Sequence, residues 1–596
     1  MCGIVGYAGG RRAVDVLLDG LRRLEYRGYD SAGVAISYEG LKIFKDVGQL
    51  SKIQSNIPNW EGGMGIGHTR WATCGRPSKE NSHPFTDCSG RIALVHNGII
   101  ENHLSLRKQL EEEGHKFTSE TDTEVLVHLM ERHYDGNTHA ALVTALSEVK
   151  GTYAVAAMAE GDDHIVVARK ENPLVIGVGV GENILASDVT AILNLTSRVI
   201  YLEEGDSAIV SANDITIFDA QGNRAKRDPT TITWSIEDAE KGGFEHYMLK
   251  EIYEQPTAIH NSLLGNLDEI YAGAIIPDID VTSVKLVACG SSSHAAMVGK
   301  YIIESMAKLP TTVELASEYR YSPGTGENPF TILLTQSGET ADTLAAAREA
   351  RRRGCRTMSV TNMVGSTISR ETDHVFYTNA GPETSVAATK SYITQLMAMY
   401  LLGLRLGTMR QALDRAEVRN ISTELRSMPR YVNGVLDEAS EIENAVEMLA
   451  SANHAFYLGR NINYPTMLEG ALKLKEVSYI HAEGYAAGEL KHGPLALLDA
   501  TTPVVAACVN DHTREKMLGN ISEVAARDSP VLGIGLEDDR DLAAITDIKI
   551  NIPTVSPILS PVPLTVVLQL IAYYVAKKRG CPIDRPRNLA KSVTVE

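Results

Sequence analysis

The hydrophobic positions change rhythm partway along the chain. Up to about residue 240, short β-type runs at 92–96, 153–158, 164–168 and 207–210 are separated by glycine turns, and apolar residues recur with helical spacing over 13–24 and 123–132. Alternation of period two marks strands and a period near 3.6 marks helices. The mixture predicts an α+β arrangement in which sheets and helices stack as layers. The polar, acidic stretch 234–243 ends in Lys241-Gly242-Gly243 and reads as a linker, with 244–255 opening a helix. From about 278 the strands become continuous apolar runs, at 283–288, 330–334, 357–361 and 374–377, and alternate with helical segments. That is the pattern of a parallel sheet covered on both faces. A strand, a glycine turn and a helix then begin again at 454–458, and strands at 503–509 and 531–534 continue the series. This weak internal repeat favours two tandem doubly wound α/β domains over one long sheet. The expected boundaries are 1–240, 241–440 with its leading helices, 441–585, and a terminal tail at 586–596.

Composition narrows the function classes. The 596 residues are 44% hydrophobic and 22% charged, enough apolar material for several cores, and the formal charge of −18 argues against a nucleic-acid partner. An acidic chain still binds phosphate where backbone N–H groups and hydroxyls form the site. The seven cysteines (Cys2, Cys74, Cys88, Cys289, Cys355, Cys508 and Cys581) are odd in number, widely spaced and never in a CxxC pair. They suggest neither a disulfide framework nor a zinc site. No charged and then apolar leader opens the chain, and the apolar stretch 563–576 reads as too short and too polar to span a bilayer. A cytoplasmic protein without membrane contact is expected.

Candidate chemistry begins at Cys2. After removal of Met1 its thiol would sit beside its own α-amine, whose ordinary pKa of about 7.7–8.0 suits a base for the thiol proton. The motifs Cys2-Gly3-Ile4-Val5-Gly6, Tyr26-Arg27-Gly28-Tyr29-Asp30-Ser31-Ala32-Gly33, Gly67-His68-Thr69-Arg70-Trp71-Ala72-Thr73, His96-Asn97-Gly98-Ile99-Ile100-Glu101-Asn102 and Ser119-Glu120-Thr121-Asp122-Thr123-Glu124 follow in that order. Together they resemble the glutaminase domain of class II amidotransferases, the N-terminal-nucleophile type with αββα layers. The resemblance implies Cys2 as nucleophile and Asn97 with the Gly98 N–H as oxyanion donors, each such donor worth about 10²–10³ in rate. It implies glutamine binding by Arg70, Trp71, Thr73 and Asp122, the Arg70 fork matching the α-carboxylate and Asp122 the α-ammonium. Arg27 supports the Cys2 region or forms a structural ion pair. Cys74 stands where this family usually has histidine. His83, His103, His115 and His128 show no ligand spacing and read as surface or packing residues.

Two later loops follow strands and open helices: Cys289-Gly290-Ser291-Ser292-Ser293 and Thr335-Gln336-Ser337-Gly338-Glu339-Thr340. Hydroxyls and free N–H groups at a helix N-terminus suit a phosphate dianion, although the same residues also serve as ordinary caps. Neither loop is a Walker or dinucleotide motif. With 469–483, Gly488-Glu489-Leu490-Lys491-His492-Gly493-Pro494 and the tail 586–596, they resemble paired sugar isomerase domains, and the whole chain resembles the family that couples such a pair to a class II glutaminase. That resemblance implies phosphate and sugar contacts at Ser291, Ser292, Thr335, Gln336, Ser337, Thr340, Val386 and Ala388. Thr335 and Ala388 stand where the family commonly has serine. It further implies Glu476 as the proton shuttle between the first two sugar carbons, with Lys473 beside it, His492 for ring opening and Lys591 for a Schiff base to the ketose. The implied reaction takes glutamine and fructose 6-phosphate to glutamate and glucosamine 6-phosphate, opening amino-sugar synthesis. The implied assembly is a homodimer in which a neighbouring subunit lends the histidine, and no metal or cofactor is implied. Amination of another sugar phosphate, and a sugar-phosphate sensor without turnover, stand as rivals.

Overall fold

The computed structural model describes residues 2–25, 28, 30–71, 75–232, 241–264, 266–267, 276, 280–324 and 328–594. It divides into two compact units, one formed by Met1–Ala239 with Ala590–Glu596 and the other by Glu240–Leu589.

In the first unit two antiparallel sheets lie face to face. One has the strand order Thr230–Thr231, Arg198–Tyr201, Val175–Val178, Glu182–Ala186, β1 (Gly3–Gly9), β2 (Met64–Arg70), Ser31–Ser37 and Leu41–Val47. The other has the order Arg224–Ala225, Ile215–Phe218, Ser207–Ser211, His164–Lys170, β5 (Gly151–Ala159), β4 (Ile92–Ile100) and β3 (Phe85–Thr86). The period-two rule sorts the side chains of β4. Ala93 and Val95 enter the core between the sheets with Ile4, Ala35 and Ile66. Leu94 points the other way and packs with Val125, Leu126 and Leu129 of helix α3 (Thr123–His133). Helix α1 (Ala13–Leu24) covers the outer face of the first sheet, and α2 (His103–Glu112), α3 and α4 (Thr138–Ser147) cover that of the second. The layering is therefore αββα. Thr594 Oγ1 donates to Asn172 Oδ1 at 3.3 Å, which ties the end of the chain into this unit.

The second unit contains two separate five-stranded parallel sheets. Their orders are Thr311–Leu315, β6 (Val284–Ala288), β7 (Phe330–Leu334), Thr357–Thr361, His374–Tyr377 and His481–Ala486, β8 (His454–Gly459), β9 (Val504–Cys508), Val531–Leu536, Ile548–Ile552. In each half the order is second, first, third, fourth, fifth, so the repeat read from the sequence is a repeat of topology. Helices α5 (Gly290–Ala307), α6 (Ala341–Arg352), α7 (Lys390–Met409), α8 (Asn463–Ser478) and α9 (Pro561–Lys578) pack against them. One apolar core runs through both halves. α7 and α9 are apolar on nearly every side and are buried on nearly every side.

One expectation needs correction. The segment around 563–576 is neither short nor polar: the helical stretch Pro557–Lys578 is 22 residues long with a mean hydropathy of 1.8, enough by length and composition to cross a membrane. Pro561 and Pro563 sit in the first turn of α9, where proline is tolerated because the N–H groups have no intrahelical acceptor. Burial of 94% of its most apolar window identifies it as the central core helix of this unit. Most of the expected linker, 234–240, lies outside the described residues.

Candidate functional site

In the first unit, Gly3 pairs with Thr69, so Cys2 sits beside the end of β2. The Trp71 N–H donates to Cys2 Sγ at 3.3 Å, and the thiol approaches the Trp71 carbonyl at 3.5 Å. Burial raises the pKa of the thiol; the Trp71 amide and the Arg70 guanidinium draw it down only in part. A thiol held protonated in this way needs a base to become a nucleophile. Asn97, on β4, donates from Nδ2 to the Cys2 carbonyl at 3.0 Å. Gly98 follows with φ of +137°, and a Cβ there would stand 2.0 Å from the Thr152 carbonyl oxygen, so only glycine fits.

Below this layer lies a support that sequence reasoning missed. His68 Nε2 is 3.1 Å from both the His96 carbonyl and Asn97 Oδ1. Both are acceptors, so Nε2 carries the proton and holds the Asn97 amide with Nδ2 turned to Cys2. His83 stacks on His68 at 3.9 Å with 11° between the rings. Burial takes the His68 pKa down to about 3, puts that of His83 well below its ordinary value and lowers that of His96. Three neutral imidazoles thus underlie the centre. The signal was available for His68, which lies two residues before Arg70 on a buried strand.

Arg70 is 3% exposed and donates from Nη2 to the Gly75 carbonyl at 2.9 Å. Asp122 is also buried, at the start of α3, and accepts from the Ile100 N–H at 2.8 Å, while Thr123 Oγ1 meets His96 Nδ1 at 3.0 Å. These bonds fix the N-terminus of α3 to β4. Thr73, Cys74 and Arg27 lie outside the described residues.

In the second unit, Ala288 pairs with Leu334, so the loops after β6 and β7 leave one sheet edge side by side. β6 lies between Thr311–Leu315, the strand that follows it in the chain, and β7, the strand after that, which makes this edge the switch point of the sheet, where ligands of open α/β sheets bind. The hydroxyls in these loops do not cap their own helices. Cys289 is the cap position of α5 and Thr340 that of α6, and neither side chain makes a capping bond. Instead Ser291 Oγ donates to Glu469 Oε1 at 2.8 Å, and Ser292 Oγ accepts from Gln395 Nε2 at 2.9 Å. Thr335 Oγ1 meets Thr340 Oγ1 at 3.1 Å and accepts from the Gly338 N–H at 3.2 Å; the Glu339 N–H donates to Ser337 Oγ, also at 3.2 Å. Gln336 turns its carbonyl to the Asn362 N–H at 3.1 Å.

α8, from the second half, brings charge to this edge. Lys473 Nζ lies 2.5 Å from Glu476 Oε2, 3.4 Å from Glu469 Oε1 and 3.1 Å from Ser291 Oγ. Glu469 Oε2 meets His294 Nδ1 at 2.8 Å. Burial opposes the Lys473 charge, but the two carboxylates outweigh it and raise its pKa. Burial likewise opposes the Glu469 charge, and Lys473, His294 and Ser291 outweigh it and lower its pKa. Glu469 was not among the predicted residues, although positions 469, 473 and 476 share one helix face by spacing alone.

The remaining predicted residues are less gathered. The Val386 N–H donates to the Asp584 carbonyl at 3.2 Å, and Ala388 follows the buried Ala387. His492 is exposed at the end of the short helix Ala487–His492. Lys591 belongs to the terminal segment of the first unit.

Comparison with known proteins identifies the domain types along the chain. Residues 68–194 match the model of a glutamine amidotransferase domain, and 279–405 and 448–578 each match that of the SIS domain. The glutamine–fructose-6-phosphate aminotransferase (isomerizing) of Methanosarcina acetivorans is 47% identical over 618 residues, covering 100% of both chains. That of Thermus thermophilus is 49% identical over 604 residues, again covering 100% of both. The C-terminal domain of glucosamine-fructose-6-phosphate aminotransferase from Francisella tularensis superposes with a TM-score of 0.56 at 38% identity, covering 58% of this chain and 100% of that one. With such identity over its full length, and both domain types in the expected order, the chain belongs to the glutamine–fructose-6-phosphate aminotransferase (isomerizing) family.

Proposed function

We propose that the protein transfers the amide nitrogen of glutamine to fructose 6-phosphate and isomerises the product, yielding glutamate and glucosamine 6-phosphate. The observation that carries this reading is the Lys473–Glu476 pair on α8, set against the hydroxyl-rich start of α5 at the switch point. A phosphate site needs the hydroxyls and the helix N-terminus; only an isomerase needs a carboxylate steered by a buried ammonium beside them.

In the first half-reaction, with Met1 removed, the α-amine of Cys2 takes the thiol proton and the sulfur adds to the glutamine amide carbon. Arg70 and Asp122 hold the α-carboxylate and α-ammonium, and Trp71 and Thr73 border the glutamine. The oxyanion is met by the second hydrogen of Asn97 Nδ2 and the Gly98 N–H. The C–N bond breaks, ammonia leaves, and water hydrolyses the thioester to glutamate and the restored thiol. Ammonia is handed on without release to water, where it would be protonated.

In the second half-reaction the phosphate rests on Ser291, Ser292, Thr335, Gln336, Ser337 and Thr340, with Val386 and Ala388 bordering the sugar. His492 opens the ring and Lys591 forms a Schiff base at C2. Ammonia displaces that lysine, the carbonyl oxygen having left as water. Glu476 then takes a proton from C1 and returns it to C2, with Lys473 keeping the carboxylate ionised. The exposure of His492 on its own chain supports a homodimer that completes the site, and the reaction's substrates are those of a cytoplasmic enzyme.

The test supplies glutamine with a panel of ketose and aldose phosphates and identifies the amino sugar by mass spectrometry. Glucosamine 6-phosphate from fructose 6-phosphate is expected. Turnover of a different sugar phosphate alone would point to the alanine at 388 and shift the substrate. Tight binding with no product from any sugar would overturn the proposal in favour of a sensor.

A further inference from the structure

Away from both centres, four side chains of the first unit converge on one point: Cys88, His115, His128 and Glu131, whose ligand atoms all lie within 4.8 Å of one another. Cys88 is in the turn between β3 and β4, His115 follows α2, and His128 and Glu131 stand three residues apart on one face of α3. Cys88 Sγ is 3.9 Å from His115 Nδ1 and 3.7 Å from His128 Nδ1. Glu131 Oε2 is 2.8 Å from His115 Nδ1 and 3.1 Å from His128 Nδ1.

We propose that these four residues bind a zinc-like divalent transition-metal ion in a tetrahedral site. Metal–sulfur bonds of about 2.3 Å and metal–nitrogen or metal–oxygen bonds of about 2.0–2.1 Å place neighbouring tetrahedral ligands roughly 3.3–3.6 Å apart. The distances between the four atoms bracket that edge, and the donor set of one thiolate, two imidazoles and one carboxylate is typical of zinc. Hydrogen bonding alone does not serve the cluster as well. Each Nδ1 has a single in-plane lone pair or proton, and both Cys88 Sγ and Glu131 Oε2 compete for it. A cation placed between them is shared by all four.

Two surrounding features fit a metal. The Lys116 N–H donates to Cys88 Sγ at 3.4 Å, the contact that steadies a bound thiolate. His128 is 1% exposed, and its Nε2 has no hydrogen-bond partner among the described residues but faces Glu124 Oε1 at 3.9 Å. A metal on Nδ1 fixes the proton on Nε2 and aims it at that carboxylate, the arrangement common behind metal-bound histidines. Cys88 itself is exposed, which leaves a path of entry. Binding displaces the Cys88 thiol proton to solvent and adds no redox step. The ion would join the β3–β4 turn, the α2–α3 connection and α3, the helix that Asp122 immediately precedes. The sequence concealed the site because the gap between Cys88 and His115 matches no familiar ligand spacing.

The test uses the full chain made without a histidine tag, stripped with a chelator and titrated with cobalt(II). A thiolate-to-cobalt charge-transfer band, with the intense visible bands of four-coordinate cobalt, is expected to saturate near one ion per chain. Zinc should displace the cobalt and abolish the bands. Cys88→Ser is expected to lose the charge-transfer band and His115→Ala to weaken binding by at least 10–100-fold, while Cys581→Ser keeps both band and affinity. Absence of the band in the unsubstituted chain, or its persistence in Cys88→Ser, would overturn the proposal. The first measurement needs no variant to fold.

Discussion

Replacing Glu469 by glutamine probes the sugar site at its least replaceable point. Glu469 and Lys473 are each 1% exposed, so their interaction is little weakened by solvent screening. Glutamine keeps the shape and one acceptor but loses the charge that faces Lys473 and His294. Hydrogen bonds to charged groups contribute about 1.5–3 kcal/mol, and removing one partner of a buried pair altogether costs about 3–5 kcal/mol. Because the substitution is isosteric, the lower range applies, and at 1.36 kcal/mol per tenfold it corresponds to a loss of roughly 10–150-fold in kcat for glucosamine 6-phosphate. Glutamate release from glutamine in the absence of sugar, which depends on the first unit, is expected to be unchanged. The pH profile separates positioning from simple damage. In the parent protein the carboxylates raise the Lys473 pKa, so its ammonium is fully present below the unfolded value near 10.4 and lost only above it. Without Glu469 the opposing effect of burial gains weight, and the alkaline limb of sugar amination moves to lower pH. A variant that aminates fructose 6-phosphate at the parental rate with an unmoved alkaline limb would refute the reasoning.

Three further outcomes follow from the first unit. Cys2→Ala is expected to end glutamate release while leaving the sugar half able to interconvert fructose 6-phosphate and glucose 6-phosphate, measured by coupled assay. Gly98→Ala forces a Cβ to within 2.0 Å of the Thr152 carbonyl oxygen, so loss of glutaminase activity, together with a lowered thermal midpoint for this unit, is expected by calorimetry. His68, His83 and His96 have lowered pKa values in the fold, so the unfolded chain binds more protons as pH falls below its ordinary imidazole value. Stability measured by urea titration is therefore expected to fall below about pH 6.5, by up to about 1.4 kcal/mol per pH unit for each imidazole, and for His68 to level off below its folded value of about 3.

Much of this was legible before any coordinates. Local rhythm set α1 and α3 nearly to the residue: α1 shows an amphipathic stripe against its sheet, and α3 an apolar run buried from Thr123 to Met130. The parallel strands were legible for the same reason: a strand buried on both faces has no polar alternation to hide it. The reading of 563–576 as too short took in only part of the helix, which runs from Pro561 to Lys578 with its two prolines in the first turn. His68 and Glu469 were passed over for a different reason. Each acts on a residue distant in sequence, His68 on Asn97 and Glu469 on Ser291 and His294, and no periodicity carries such a pairing.

The two halves of the second unit share a topology but not the residues at their strand ends, and on the function proposed above the difference explains why the site needs both. At the switch point of the first half, the loop after β6 is Cys289-Gly290-Ser291-Ser292, and that after β7 is Thr335-Gln336-Ser337. The matching loops of the second half, after β8 and β9, are Arg460-Asn461-Ile462 and Val509-Asn510-Asp511. Those loops offer no run of hydroxyls, and the Arg460 guanidinium is already engaged by Asn520 Oδ1 at 2.8–3.0 Å. The second half therefore has no comparable run of hydroxyls in these two loops. Its contribution is α8, the helix that follows β8 just as α5 follows β6. The same element of the repeat presents its N-terminal hydroxyls in one half and its Glu469-Lys473-Glu476 face in the other, and Ser291 bonds directly to both Glu469 and Lys473. On the function proposed above, one copy holds the anion and the other moves the proton, which gives one sugar site per chain.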